Sequence, residues 1–452
     1  MTAHLPLDGP RARAALDLLR AYPHGNVDEE SFSTLAAGGR LEEVVALLEL
    51  HGILPVCLAS LSGSPTPGGE GSRDLVSAMQ RREQPLRSHA ARTTLTTERI
   101  LRACAERGLT PVLLKGASLF VDVYPEPWLR PTGDVDLLMS EEDLPLAIEA
   151  AYEAGLAVAP ERLPLFYYRL VHFHLKLHPA ANLLCEVELH WALQSPALLL
   201  TVKTDDVLAR TRRFTWHDMP VRTLDPLDRY LHLATHLLSH WGETAPLDDE
   251  GLVLSLLTSA APPARLKWIL DLRLALERMA RDGVDAPALI DRAEEWSALP
   301  ALCRAIGLAR VVGLADGARP LADDVLRRSG QDPVGFPWRD SPDRARRSFD
   351  AVPRPARGLD FRLSALGGIF RWAFPPREYF ERRPPPRGFL RRMGHALRVL
   401  ARVKLAALLL PVALLGRRLQ ARGRRRRMEE LLSHERVFEL VRASRARSRG
   451  GR

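Results

Sequence analysis

Lysine is nearly absent from this chain, at five positions among 64 basic residues, so its basicity is almost entirely arginine. That bias fits a GC-rich genome better than any physical demand. Cysteine is also scarce: Cys57, Cys104, Cys185 and Cys303 lie far apart, with no CxxC pair and no metal-ligand spacing. The scatter excludes a disulfide framework and points to a reducing compartment. The first residues, "MTAHLPLDGPRARAALDLLRAYP", have no apolar run after a basic start, so they do not form a secretory signal. A cytoplasmic protein is expected. In the C-terminal tail, "LAALLLPVALLG" at 405–416 is only a dozen residues long, short of the roughly 20 that a spanning helix needs.

What is present is globular composition: 46% hydrophobic and 26% charged residues over 452 positions, enough chain for two or three domains. The net charge of +9 is unevenly placed. Residues 387–452 hold 19 Lys/Arg against 4 Asp/Glu, so this tail carries +15 and the preceding 386 residues −6. Only the tail calls for an acidic partner.

Apolar residues recur at three- and four-residue intervals in "RARAALDLLRAY", "LEEVVALLELHGILPVCLASL" and "TTLTTERILRACAERG", which predicts a helical region over 1–108. "SGSPTPGGEGS" at 62–72 reads as a loop. The pattern then changes. "LTPVLLKG" is a short strand, "ASLFVDVY" a helix and "DVDLLMS" a second strand; "EEDLPLAIEAAYEAGL" is a helix with Ser140 as its N-cap. "FHLKLH" and "LLCEVELHW" alternate as strands around "PAAN". A small α/β core over 109–222 is therefore expected, followed by helices over 223–328. Asp225 followed by Pro226 marks the start of the first of these. A Pro/Arg-rich irregular segment over 329–387 and a basic amphipathic helical tail over 388–452 complete the chain.

The chemistry centres on "LRPTGDVDLLMS". On a strand, residues two apart share a face, so Asp134 and Asp136 project together. Two adjacent carboxylates repel unless a positive charge lies between them, and Mg²⁺ is the usual solution because it takes carboxylate oxygens and also grips phosphates. The plain alternative is a turn at a strand start, where aspartates are common. Gly116 in "VLLKGASLF" marks a strand-to-helix turn, where exposed backbone N–H groups can hold a phosphate. "EVELHW" sets Glu186, Glu188 and His190 on one face, and a third carboxylate on a neighbouring strand is what a two-ion phosphoryl-transfer site requires.

A glycine turn, Asp-hydrophobic-Asp and a third acid on a later strand resemble the polymerase β-type nucleotidyltransferase superfamily. More closely, "LLKG…YPEPWLRPTGDVDLLM…ELHW" resembles a bacterial family of uncharacterised nucleotidyltransferases, near the kanamycin- and MNT-type enzymes. The specific part covers residues 111–191; looser similarity runs through "HLATHLLSH" and "LKWILDL". The resemblance implies an α+β fold: a polymerase β-type core, a small mixed sheet with helices, set between N- and C-terminal helical regions. It implies Mg²⁺ or Mn²⁺ on Asp134, Asp136 and Glu188, with Glu188 as candidate base. It places Gly116, Ala117 and Ser118 in the nucleotide-phosphate turn and sets Lys115 and Arg130 against the triphosphate. The chain departs from the family in having Gly116-Ala117, where Gly-Ser or Gly-Gly is usual, and in a longer interval from Gly116 to Asp134.

Other features have competing readings. Glu186 rivals Glu188, which is favoured because the match is to Glu-Leu-His. His190 orients that carboxylate, touches the substrate as a candidate cleft residue, or is an ordinary strand histidine. His232, His236 and His240 stripe one side of a helix; packing is favoured over zinc, with His236 as a candidate cleft residue. Asp271 is read as structural. For the tail, packing on the body comes first, an anionic membrane surface touched through 397–427 second, and nucleic acid last, since few aromatics interleave with the arginines. The leading expectation is an enzyme that transfers NMP from an NTP to a hydroxyl acceptor (sugar, small molecule or protein), cytoplasmic or peripheral at the inner membrane face. The alternative is a non-catalytic nucleotide-binding subunit that keeps the fold.

Overall fold

The computed structural model describes residues 7–23, 29–61, 69–158, 172–180, 183–194, 200–240, 249–259, 262, 264–330, 394, 397–398, 401, 404–405 and 408–412. Six helices come first: α1 (Gly9–Ala21), α2 (Glu29–Ala36), α3 (Leu41–Leu50), α4 (Leu54–Leu61), α5 (Glu70–Gln80) and α6 (Glu83–Ala105). The apolar run 41–61 is two helices rather than one, bent by 113°. The break falls at Gly52, whose φ of +68° is a left-handed conformation that glycine adopts without strain. No single helix among the described residues is long and apolar enough to cross a membrane. Residues 70–72, expected in a loop, open α5; the rest of that stretch, 62–68, lies outside the described residues.

Seven described strands form one mixed sheet in the order β3-β4-β5-β2-β1-β7-β6. They are β1 (Val112–Leu113), β2 (Asp134–Leu138), β3 (Leu156–Val158), β4 (His174–Pro179), β5 (Glu186–His190), β6 (Arg212–Trp216) and β7 (Met219–Thr223). Between them run α7 (Lys115–Asp122), α8 (Leu144–Glu153) and α9 (Thr204–Ala209). The hairpin β6–β7 and the short β3 are absent from the sequence reading, because "RRFTW" and "MPVRT" carry too many polar residues to alternate cleanly. Ser140 differs from expectation too. Its Oγ accepts from Asp143 N at 3.2 Å, but residues 141–143 form a turn and α8 starts only at Leu144. Ser140 therefore stabilises the turn leading into the helix.

The helices that follow are α10 (Pro226–His240), α11 (Asp249–Leu257), α12 (Leu266–Arg281), α13 (Ala286–Glu295), α14 (Leu299–Val311) and α15 (Arg319–Ser329). Asp225 Oδ1 accepts from Leu227 N at 3.0 Å, the cap expected from Asp-Pro. The fold is α+β, with the sheet flanked by helices.

Alternation along the strands divides the apolar residues between two cores. One face of the sheet, with Leu113, Val135, Leu137, Val187 and Leu189, packs on α6 and α8. The other core includes Leu114 and Leu138 and gathers residues from α1–α5 together with α10–α15. The helical regions that precede and follow the sheet thus share one core. Asp134, Asp136, Glu188 and His190 stand on this second face, between the sheet and the helices. In the tail, Leu409 and Leu410 pack against the first core, while Leu397, Leu405, Leu408 and Val412 are exposed. The segment 331–393 and the arginine run 417–427 lie outside the described residues.

Candidate functional site

The site begins where β1 turns into α7. Leu114 N donates to Asp136 O at 2.9 Å, which extends the strand contact by one residue. Lys115 then takes a φ of +44°, a left-handed conformation strained for any residue with a Cβ. The strain falls on Lys115 and not on the glycine beside it. Gly116 is needed for a different reason: a Cβ there would sit 2.7 Å from Arg130 Nη1 and 2.8 Å from Thr132 Cβ. Ala117 packs into the sheet core, and Ser118 Oγ donates to Lys115 O at 2.8 Å, so its hydroxyl is satisfied within the turn. Of the three residues expected in the phosphate turn, Gly116 lines the cavity described below, together with Lys115.

Strands β2 and β5 run parallel, with Asp134 beside Glu186, Asp136 beside Glu188 and Leu138 beside His190. That register aligns the two period-2 patterns. One carboxylate oxygen each from Asp134, Asp136 and Glu188 lies within 4.8 Å of the others. Asp136 is the most confined: Lys115 Nζ approaches its Oδ1 at 2.6 Å and His190 Nε2 approaches the same oxygen at 2.8 Å. His190 also stands 3.5 Å from Glu188 Oε2. Glu186, the rival third acid, is turned away to Lys176 and His178, each at 2.9 Å.

The antiparallel strand β4 adds a row the sequence reading did not assign. His174 pairs with His190 and Lys176 with Glu188 across the ladder. His174 Nε2 lies 3.8 Å and Lys176 Nζ 3.6 Å from Glu188 Oε1. The alternation in "FHLKLH" was the available signal, since it sets His174, Lys176 and His178 on the same face.

These neighbours separate the acids electrostatically. Burial raises Asp134 to about 6, and the adjacent Asp136 pushes the same way. Burial would also raise Asp136, but Lys115 and His190 outweigh it and hold this carboxylate well below the usual range. Glu188 is likewise brought down to about 2 against its burial, chiefly by His190. The two acids in return raise His190 despite its burial. His174 is pushed down to about 3 by burial and by His190.

A cavity of about 280 Å³ opens over the acids. Asp134, Asp136 and Glu188 form its floor with Lys115 and Gly116, while α10 and α12 supply the opposite wall through His236, His240, Lys267 and Trp268. The rings of His240 and Trp268 pack with centroids 4.7 Å apart, tilted by 40°. His232 is buried, with Gln194 Nε2 3.4 Å from its Nδ1, so only the second and third histidines of the stripe reach the cavity. Arg130 lines it as well, but its guanidinium is held by Asp271 through Nε at 3.1 Å and Nη2 at 2.6 Å. Tyr124 Oη donates to the same aspartate at 2.8 Å. Asp271, read as structural, is buried with Arg130 as its partner, whereas the neighbouring Arg273 pairs with Glu277 at 2.9 Å. Lys267, Trp268, Thr132 and Gln194 are lining residues the sequence reading missed, because nothing local ties a helix at 266 to a strand at 134.

Hard carboxylate oxygens from two adjacent strands suit Mg²⁺ or Mn²⁺. Among the described residues one further cluster could hold an ion, His174 with Glu188 and His190; neither includes the stripe of His232, His236 and His240. A family profile described as "Uncharacterised nucleotidyltransferase" matches residues 39–312. No curated protein and no solved structure matches the chain.

Proposed function

The chain belongs to the uncharacterised nucleotidyltransferase family, and we propose that it moves an NMP group from an NTP to a hydroxyl acceptor. In this reaction the acceptor oxygen bonds to the α-phosphorus, the bond from that phosphorus to the β-phosphate oxygen breaks, and pyrophosphate leaves. The observation that carries the reading is the register pairing Asp136 with Glu188, which gathers three carboxylates under one cavity. A divalent ion held by Asp134, Asp136 and Glu188 would neutralise phosphate charge there.

The chain's own groups supply position and a proton acceptor. Gly116 lets the turn lie flat against Arg130 and Thr132, and the first amides of α7 lack helical acceptors, so they are available to a phosphate oxygen. The acceptor's proton goes to a carboxylate of the trio. Glu188, the third acid, set beside Asp136 by the strand register, is the candidate acceptor.

The test is incubation of the purified protein with each α-labelled NTP, Mg²⁺ or Mn²⁺ and cell extract. Label transfer that disappears in Asp136→Asn supports the proposal. Tight nucleotide binding without transfer in any extract supports the second reading, a nucleotide-binding subunit. One observation favours that second reading: Lys115 and His190 already meet Asp136 Oδ1 at 2.6 and 2.8 Å, so protein side chains occupy the oxygen that an ion would need.

A further inference from the structure

Three cationic side chains of Lys or Arg line the cavity, and two of them are neutralised by buried acids. Lys115 meets Asp136 at 2.6 Å and Arg130 meets Asp271 at 2.6 Å. The third, Lys267 in the first turn of α12, has no carboxylate within ion-pair distance among the described residues. Its Nζ donates to Pro131 O at 2.7 Å, which occupies one of three N–H groups. The side chain is fixed in this direction by its stem. Lys267 lies across Gly52, where a Cβ would come within 2.5 Å of its Cδ. Its backbone N donates to His51 O at 3.1 Å. The α3–α4 bend thus serves as a seat for this lysine.

A half-buried ammonium without a carboxylate partner is costly. Burial, with the nearby Arg130, lowers this ammonium to about 7, so an arriving anion would relieve the penalty. Lys267 lines the same cavity as Asp134, Asp136 and Glu188, but from α12 and not from the sheet. If the acids govern the α-phosphate, the part of an NTP long enough and charged enough to extend toward Lys267 is its β,γ end.

We propose that Lys267 is the binding site for the terminal phosphates of the nucleotide, set on the helical half and facing the acids of the sheet. The assignment rests on the nucleotidyl-transfer reading and deepens it. It gives the leaving pyrophosphate a cation that the sequence-predicted Lys115 and Arg130, both engaged with acids, do not provide.

The experiment compares full-length wild type, Lys267→Met and Lys267→Arg for binding of an NMP, an NDP and an α,β-methylene NTP, with Mn²⁺ present. Wild type should bind in the order NTP, NDP, NMP. Lys267→Met should lose at least tenfold for the NTP and less than twofold for the NMP, and arginine should restore part of the difference. Removing a half-buried cation that has no ion-pair partner should leave the melting temperature at or above that of wild type. If the methionine variant fails to fold, Lys267→Gln keeps a donor for Pro131 O and serves in its place. Equal losses for NMP and NTP, or no loss for either, overturn the assignment while leaving nucleotidyl transfer standing. A wild-type protein that binds none of the three overturns both.

Discussion

Arg130 and Asp271 lie 141 residues apart in sequence and form a two-oxygen ion pair with hardly any solvent contact, at 2.6 Å from Nη2 and 3.1 Å from Nε. The pair joins the loop before β2 to α12, and so holds the acid-bearing sheet against the helical half. Removing one member of such a pair leaves a buried charge alone, at a cost of about 3–5 kcal/mol. Asp271→Asn should lower stability in urea unfolding by that order, and Arg130→Met paired with Asp271→Leu should recover much of it. An Asp271→Asn variant as stable as wild type would show that the pair is not what ties the halves together.

Glu188 and Glu186 offer a direct contrast on one strand. Glu188 is 8% exposed and faces the cavity, whereas Glu186 is half-buried and engaged by Lys176 and His178. Glu188→Gln should reduce transfer at least a hundredfold; Glu186→Gln should stay within threefold. The reverse ranking in a steady-state assay would hand the third-acid role to Glu186.

Gly116→Ala sets two effects against each other. Alanine in a helix normally gains up to about 1 kcal/mol over glycine. Here its Cβ would meet Arg130 Nη1 and Thr132 Oγ1, both at 2.7 Å, and Arg130 cannot withdraw without breaking its bond to Asp271. Overpacking of that kind costs about 1–3 kcal/mol, so it should win. The expected result is a lower melting temperature together with weakened nucleotide binding.

His51 predicts a pH dependence of stability. It is fully buried, and burial followed by the charge of Arg265 lowers it to about 4 from 6.5. Between those values the unfolded chain binds the proton and the folded one does not, so stability is lost as pH falls from about 6.5 to about 4. The full loss is about 3 kcal/mol. Leu266 N donates to His51 Nδ1 at 3.4 Å, an acceptor that asparagine can replace. His51→Asn should therefore be nearly as stable as wild type at pH 7.5 and more stable at pH 4.5 in urea titrations. Parallel acid-side slopes for the two proteins would contradict this.

Local features could be read from the amino-acid order alone. Alternation within "DVDLL" and "EVELH" fixes which side chains share a face, and helical periodicity marks α1, α6, α10 and α12, because each follows from backbone geometry within a few residues. The three acids and Gly116 were legible for that reason, and for the family pattern they carry. Which charges meet was set by long-range packing. The parallel register of β2 with β5 sets Asp136 beside Glu188, packing of α12 takes Arg130 for Asp271, and the bend at Gly52 turns Lys267 toward the cavity. Those partnerships span up to 216 residues, as between Lys267 and His51. No short-range pattern encodes them; they follow from burying two sets of apolar faces against one sheet, after which each buried charge pairs with whatever the packing brings within reach.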